Sequence, residues 1–192
     1  MKKPAKNKAV KKKKIVQTFP DFLSKEDWDT AFFDYLQRPK WGYGHTSTRK
    51  KPSVDSPPPM YWEMILDDDD FFVNHVFNKI REVTGDDLVL NRVYAGGNTF
   101  GTSGDVHVDH SKDHHRTFLY HASPDVWRPM WGGKTIFYPE GQDPIYKEFV
   151  PNQGLYFKAN VPHMGEPTTK FFEGLRICIA FKMTVASVEP NK

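Results

Sequence analysis

The sequence has one cysteine, Cys178, among 192 residues. A single thiol cannot form an internal disulfide, so the composition gives no indication of an oxidising compartment. No apolar run is long enough to span a membrane, and the basic start of the chain lacks the apolar segment and cleavage-site pattern of a secretory signal. Internal repeats are also missing. We therefore expect a cytoplasmic or otherwise intracellular protein without a membrane span.

Acidic residues are absent from residues 1–14, which contain eight lysines. Removing these eight from the 27 basic residues leaves 19 against 24 acidic residues, so the rest of the chain has a formal charge of −5. A lysine-rich segment with so few apolar residues cannot collapse, and we expect a disordered tail followed by one domain over residues 15–192. The tail fits a nucleic-acid arm, a localisation patch or an anionic-surface anchor, or else a solvated segment without a specific role.

Two helices are expected in the first half of the chain. Ser24 is a candidate N-cap for a helix over about residues 25–38. A second helix follows the acidic run 67–70, which we interpret as the N-terminal cap of that helix and not as a metal site. Residues 41–59, rich in glycine, serine and proline, are expected to form a loop and are a candidate lid.

From Leu88 onward, short runs of β-branched and aromatic residues separated by turn residues replace the helical periodicity. The predicted strands are 88–94, 105–109, 116–121, 134–138, 145–150, 154–159 and 174–185. Many short strands with frequent turns are typical of a sandwich, jelly roll or barrel. We therefore predict a mainly β protein of the α+β class, with a β core over about residues 88–185 preceded by two helices.

Within this β region, His107 and Asp109 lie two residues apart on one predicted strand, so their side chains should leave the same face of the sheet. His163, which follows a later strand, is the candidate for a third ligand. Two histidines and one carboxylate form the facial triad of non-haem Fe(II) oxygenases, with further positions open. The His-x-Asp pattern alone is a weak signal, but its place in the β core favours a site over a solvated surface strand.

The last predicted strand alternates between two kinds of face. Arg176, Cys178, Ala180 and Lys182 share one face, and Ile177, Ile179, Phe181 and Met183 share the other. An arginine beside two small residues has space in front of its guanidinium, which suits bidentate capture of a carboxylate. The alternatives are a surface ion pair for Arg176, or Lys170, in the preceding turn, as the anchor.

The other histidines are assigned lesser roles. We interpret His45 and His75 as structural, His114 and His115 as solvent-facing or lid residues within 110–115, and His110 as pointing away from His107. Three aromatic residues are candidates for the substrate entrance, namely Trp127, Trp131 and Tyr138.

Several segments of residues 88–183 occur in the order found in one enzyme family. They are 92–94 with the glycines that follow, His107-Val108-Asp109, 116–120, 131–137, 150–157, His163 and Arg176. In these segments the chain resembles the 2-oxoglutarate- and Fe(II)-dependent dioxygenases, most closely the prolyl-4-hydroxylase-like branch. The resemblance implies a double-stranded β-helix of the jelly-roll or cupin-like type.

The same resemblance implies the activity and the site. The expected reaction is hydroxylation of a substrate, in the first place a prolyl residue of a protein or peptide, with consumption of O2 and 2-oxoglutarate and release of succinate and CO2. Ascorbate is an expected reductant. The implied site residues are His107, Asp109 and His163 for Fe(II), Arg176 as the anchor of 2-oxoglutarate, Tyr94 as an assisting hydroxyl, and Tyr120 or His121 as a further contact.

The chain departs from the family pattern at two places. Arg176 lies thirteen residues after His163 instead of nine or ten. Tyr120-His121-Ala122 replaces a Tyr-Leu-Asn sequence, which leaves open whether Tyr120 or His121 contacts the cosubstrate.

Two other functions compete with a prolyl hydroxylase. A nucleic-acid dealkylating oxygenase of the same superfamily would use the lysine tail to hold a polyanion. That group carries two arginines six residues apart on the last strand, whereas this chain has Lys182 at the second position and an acidic body. A non-catalytic jelly-roll module that binds a metal is the alternative from another class. Free proline, another protein side chain or a small metabolite also remain open as the substrate.

Overall fold

The computed structural model describes residues 14–47, 59–123 and 126–186. Most of the predicted tail, residues 1–13, and the centre of the predicted lid, residues 48–58, lie outside the described residues. The strands within the described residues are β1 (Val16–Phe19), β2 (Gly42–Thr46), β3 (Met60–Ile65), β4 (Leu88–Asn98), β5 (His115–His121), β6 (Thr135–Phe137), β7 (Ile145–Lys147), β8 (Gly154–Lys158), β9 (His163–Gly165) and β10 (Arg176–Val185). They form a seven-stranded sheet in the order β1-β8-β5-β10-β4-β3-β2 and a three-stranded sheet in the order β7-β6-β9.

The first helix, α1 (Lys25–Asp29), begins as predicted after Ser24, whose hydroxyl accepts a hydrogen bond from the backbone N–H of Asp27. It continues without a break as a π-helical segment (Thr30–Leu36) and ends two residues before the predicted end. Trp28 and Leu36 are buried in the main hydrophobic core, so this side of the helix packs inward.

The second helix consists of a π-helical segment (Phe71–Val76) followed by α2 (Phe77–Thr84). The predicted capping role of the acidic run is wrong at Asp70, which occupies the N-cap position without a side-chain cap hydrogen bond. The side chains of Asp67 and Asp69 bind groups outside this helix. Asp67 accepts a hydrogen bond from the backbone N–H of Val93, and Asp69 pairs with Arg38 at 3.1 Å.

Six of the predicted strands are confirmed with small shifts of their ends, but residues 105–109 do not form the predicted strand. His107 makes only an isolated antiparallel bridge with His163. The predicted loop 41–59 is also wrong at its start, because β2 pairs with β3 at the edge of the sheet. The sequence analysis missed β1, β2 and β9. These strands have three to five residues, which is too few for a clear alternating pattern.

Strand β10 lies between β5 and β4 near the middle of the seven-stranded sheet. Its two faces are those predicted. Ile177, Ile179, Phe181 and Met183 pack in the core beneath the helices. Arg176, Cys178, Ala180 and Lys182 line a cavity of about 980 Å³ on the other face. Among the described residues, no helix has the length and apolarity needed to cross a membrane.

Candidate active site

His107 and His163 meet through their backbones at one end of the cavity. The backbone N–H of His107 donates to the carbonyl of His163 at 3.0 Å, and that of His163 donates to the carbonyl of His107 at 2.9 Å. The backbone N–H of Asp109 donates to the carbonyl of Ala159 at 2.9 Å. These three hydrogen bonds hold the irregular segment around His107 against the chain that leads into β9, so regular strand structure is not needed to place the pair.

The side chains of these residues converge at what we call the triad end of the cavity, defined by His107, Asp109 and His163. One ligand atom from each residue lies within 4.8 Å of the other two. His107 Nε2 lies 3.4 Å from Asp109 Oδ1, and His163 Nε2 lies 3.6 Å from Asp109 Oδ2. The structure therefore brings together the three residues that the sequence analysis selected.

The hydrogen bonds of the two imidazoles indicate which ring nitrogen carries a proton. His107 Nδ1 lies 2.8 Å from the carbonyl of Asp105, and His163 Nδ1 lies 2.9 Å from the carbonyl of Val161. A carbonyl oxygen can only accept, so each Nδ1 carries the proton and each Nε2 presents a lone pair towards Asp109. Burial lowers the pKa of His163 to about 4, although the charge of Asp109 acts in the opposite sense. His163 is thus neutral near pH 7, as a metal ligand must be.

Asp109 is buried and ionised. Burial by itself raises the pKa of this carboxyl, but the ammonium of Lys182 holds the pKa well below its usual range. Lys182 Nζ lies 2.6 Å from Oδ2, and the hydroxyl of Thr117 donates to the same oxygen. Two imidazole nitrogens and one carboxylate form a donor set that suits Fe(II).

The other end of the cavity, the arginine end, is defined by Arg176 and Thr135, and His121, the buried cross-strand partner of the cavity-lining Cys178, lies next to it outside the lining. Arg176 is 3 % exposed. Its Nε donates to the carbonyl of Gly133 at 2.7 Å, and its Nη2 lies 3.4 Å from Thr135 Oγ1. Gly133 has φ of 79°, and a Cβ at this position would lie 2.9 Å from the Arg176 side chain, so the close approach requires glycine.

Arg176 faces the cavity and Lys170 does not. The guanidinium lies 4.8 Å from the ring of Phe149 and lines the cavity with Cys178 and Ala180, whose small side chains leave room towards the triad end. Lys170 is exposed, over the ring of Phe171. A buried arginine in a cavity is not a surface ion pair, so the placement supports Arg176 as the carboxylate anchor.

His121 and Tyr120 lie on opposite faces of β5. Tyr120 packs in the core, where its hydroxyl donates to Asn152 Oδ1 at 3.1 Å, so its predicted contact with a cosubstrate does not fit its position. His121 is fully buried, stacks on Phe149 at 4.4 Å and pairs across the sheet with Cys178. Burial and the nearby charge of Arg176 lower the pKa of His121 to about 3, which keeps the imidazole neutral.

An unsatisfied buried nitrogen marks the arginine end as a place for a polar ligand. His121 Nδ1 lies 3.2 Å from the carbonyl oxygen and 3.3 Å from the backbone nitrogen of Val150, so both ring tautomers fit, whereas His121 Nε2 is buried without a hydrogen-bond partner within the described residues. When Nδ1 accepts from the N–H of Val150, Nε2 carries the proton. A guanidinium and an N–H together suit the far carboxylate of a dicarboxylic acid such as 2-oxoglutarate.

Tyr94 lines the cavity as predicted. Burial and the charge of Asp109 raise the pKa of its hydroxyl, so the group stays protonated and can donate. The guanidinium of Arg92 lies 4.4 Å from the Tyr94 ring and also hydrogen-bonds Glu63 at 2.7 Å. His45, which the sequence analysis treated as structural, pairs with the same Glu63 carboxylate and lines the cavity.

The remaining histidines do not belong to the triad. His110, which was predicted to point away from His107, lines the same cavity and stacks on His115, with ring centroids 3.5 Å apart. His114 is exposed, and His75 pairs with Asp27 on the helical side of the molecule.

Three aromatic residues that were candidates for the substrate entrance do not line the cavity, namely Trp127, Trp131 and Tyr138. Trp127 and Trp131 instead pack with Phe172, and Trp127 also packs on Phe149 behind the guanidinium of Arg176.

Thr117, Glu63 and Arg92 were not selected as site residues by the sequence analysis. Lys182 was placed on the same face of the last strand as Arg176, but it was given no role in the site. The roles of Thr117 and Glu63 depend on cross-strand register, which the residues alone do not reveal.

Solved structures share this architecture. A prolyl hydroxylase from Trichoplax adhaerens, in complex with a hypoxia inducible factor oxygen degradation domain peptide fragment, matches with a TM-score of 0.68 and 12 % identity over 89 % of this chain and 84 % of that protein. A Pseudomonas putida prolyl-4-hydroxylase matches with a TM-score of 0.64 and 12 % identity over 90 % of this chain and 94 % of that protein.

Not all structural neighbours are hydroxylases by name. A non-heme alpha-ketoglutarate-dependent epimerase of nogalamycin biosynthesis matches with a TM-score of 0.63 and 10 % identity over 90 % of this chain and 78 % of that protein. No protein-family model and no curated protein matches the sequence. At these identities the comparisons show the fold, which is the jelly-roll fold of 2-oxoglutarate- and Fe(II)-dependent oxygenases and of prolyl hydroxylases among them.

Proposed function

We propose that this protein is an Fe(II)- and 2-oxoglutarate-dependent dioxygenase that hydroxylates a prolyl residue of a protein or peptide, with release of succinate and CO2. The observation that carries the proposal is the pairing, in one cavity, of the His107, Asp109 and His163 ligand atoms with a buried guanidinium, Arg176. A structural metal site has no need of the second feature. We further propose a double-stranded β-helix core within one domain over residues 15–192, an intracellular location, and ascorbate as a reductant.

Each end of the cavity has a defined task in this function. His107, Asp109 and His163 hold Fe(II), which when bound supplies the activation of O2 that the side chains cannot perform. Arg176 and His121 Nε2 bind the far carboxylate of 2-oxoglutarate and so orient its other end towards the triad end. Tyr94 donates its hydroxyl hydrogen bond from the cavity wall. Burial of Asp109 and Arg176 keeps water away from both charged groups.

The choice of a prolyl substrate has its own basis. The names of two structural neighbours favour a prolyl residue, and one of them carries a bound peptide. The reaction class rests on the site, whereas the choice of substrate rests on similarity of fold, which hosts other reactions as well. The nucleic-acid alternative depends on the lysine tail, most of which lies outside the described residues.

The test is succinate formation from 2-oxoglutarate in the presence of Fe(II) and ascorbate, screened against proline-containing peptides and free amino acids. We expect stimulation by a prolyl peptide, and hydroxyproline in the product by mass spectrometry. Stimulation by alkylated DNA or RNA, lost on deletion of residues 1–13, would instead support the dealkylating enzyme. His114→Ala, at an exposed position outside the site, is the matched histidine control and should keep wild-type turnover.

A further inference from the structure

Two side chains that meet at one oxygen of Asp109 hold this carboxylate in a fixed orientation. The hydroxyl of Thr117 donates to Oδ2 at 2.5 Å, and Lys182 Nζ donates to the same oxygen at 2.6 Å. The other oxygen, Oδ1, lies 3.4 Å from His107 Nε2, and Oδ2 lies 3.6 Å from His163 Nε2. Both oxygens therefore face the ligand nitrogen of a histidine, but only Oδ2 also accepts from two donors of the sheet.

The sheet brings these two donors together. Thr117 on β5 and Lys182 on β10 are direct partners across the antiparallel pair, so their side chains leave the same face as close neighbours. The pairing of β10 with β4 shifts by one residue between Lys182 and Met183. Such a bulge redirects a side chain. Thr117 is fully buried, and Asp109 is 4 % exposed, so water cannot replace the hydroxyl.

We propose that Thr117 and Lys182 are positioning residues that restrict Asp109 to one-oxygen ligation of the metal through Oδ1. This inference rests on the proposed function. If each triad residue gave one atom to a six-coordinate metal, three positions would be left, enough for a bidentate 2-oxo acid and O2 together. If Asp109 gave both oxygens, only two positions would remain.

The test is a titration of 2-oxoglutarate into Mn(II)-saturated protein by isothermal calorimetry, after the Mn(II) affinity of each variant has been measured. Thr117→Val and Lys182→Met each remove one of the two donors that hold Oδ2 of Asp109. We expect the affinity for Mn(II), for 2-oxoglutarate or for both to fall by about 10-fold or more, the usual size of such outer contacts. Thr117→Ser and Lys182→Arg keep a donor and should restore binding to within about threefold of wild type.

Two matched controls distinguish a positioning role for Asp109 from a general effect of removing a buried hydroxyl or a lysine. Thr168 is also buried, but its hydroxyl has no hydrogen-bond partner within the described residues, so Thr168→Val should bind as wild type. Lys134 pairs with Glu148 outside the cavity lining, so Lys134→Met should also bind as wild type. If Thr117→Val does not fold, Lys182→Met at a partly exposed position carries the test.

Failure of the inference and failure of the proposed function give different results. Wild-type affinities for both Mn(II) and 2-oxoglutarate in Thr117→Val and Lys182→Met would overturn the positioning role. If His107→Ala also binds Mn(II) as wild type, the metal site itself is wrong and the proposed function fails with it.

Discussion

The triad end and the arginine end of the cavity fix their functional groups by different means. At the triad end, His107 and Asp109 lie on irregular chain, and backbone hydrogen bonds to His163 and Ala159 hold them in place. At the arginine end, Arg176 and His121 belong to the neighbouring strands β10 and β5 of the seven-stranded sheet. Backbone hydrogen bonds of an irregular segment therefore place His107 and Asp109 at the triad end, whereas the regular sheet places the groups of the arginine end.

Breaking the triad end should have the largest effect. His163→Ala removes one of the two imidazoles and leaves Asp109 and His107 without the third ligand. We expect Fe(II)-dependent succinate formation to fall below detection and Mn(II) binding to weaken by more than about 100-fold, since the ligand itself and not an outer contact is lost. Wild-type turnover in this variant would contradict the assignment of the site.

Breaking the arginine end should be less severe, because the metal still binds. Arg176→Met removes a guanidinium that forms charge-assisted hydrogen bonds, each worth about 1.5–3 kcal/mol. The KM for 2-oxoglutarate should therefore rise roughly 10- to 100-fold, while Mn(II) affinity stays unchanged. The matched control is Lys170→Met at the exposed turn. A larger effect of that variant on KM would identify Lys170 as the anchor instead.

Substitution of His121 should change the KM for 2-oxoglutarate less than substitution of Arg176. His121→Phe keeps the aromatic stacking on Phe149 but removes the buried Nε2, so the KM for 2-oxoglutarate should rise about fivefold, as expected for loss of one hydrogen bond. Tyr120→Phe is the control on the opposite face of β5. It should cost about 1 kcal/mol of stability, from loss of the bond to Asn152, without a change in KM. An effect on KM from Tyr120 alone would reverse this assignment.

The acid stability of the protein should also reflect His121. Its pKa is lowered from 6.5 in the unfolded chain to about 3 in the folded protein. Between these values the unfolded state binds a proton that the folded state does not, so stability falls as the pH decreases from 6.5 towards 3. In His121→Phe this contribution is absent, and denaturant unfolding between pH 6.5 and 4 should show a shallower loss than in wild type. An identical slope in both proteins would show that His121 is not held neutral.

The sequence predicted the arginine end and the triad end unequally well. On β10 the strict alternation of residues placed Arg176 in the cavity and Ile177 in the core, because a strand has a period of two. The same reasoning predicted a strand for His107 and Asp109 that does not exist, yet the residues themselves were selected by their donor chemistry. The pairing of Thr117 with Lys182 could not be predicted, since cross-strand register depends on contacts distant in sequence.

Tyr120 and His121 illustrate a further limit. Both are compatible with a buried β-strand, and one residue of shift exchanges the core face for the cavity face. Strand β2 was not predicted because its glycines and exposed positions lack the apolar alternation that marks a strand. Both His45 and the Glu63 carboxylate that it contacts were therefore unexpected in the cavity.

The most direct test of the account is calorimetric titration of 2-oxoglutarate into the protein with and without Mn(II). Because the two ends of the cavity bind one molecule together, we predict clear binding to the Mn(II)-loaded protein and binding weakened at least about 10-fold without the metal. His163→Ala should remove the difference between the two titrations. Equal affinity for 2-oxoglutarate with and without Mn(II) in the wild-type protein would contradict the proposed dioxygenase site.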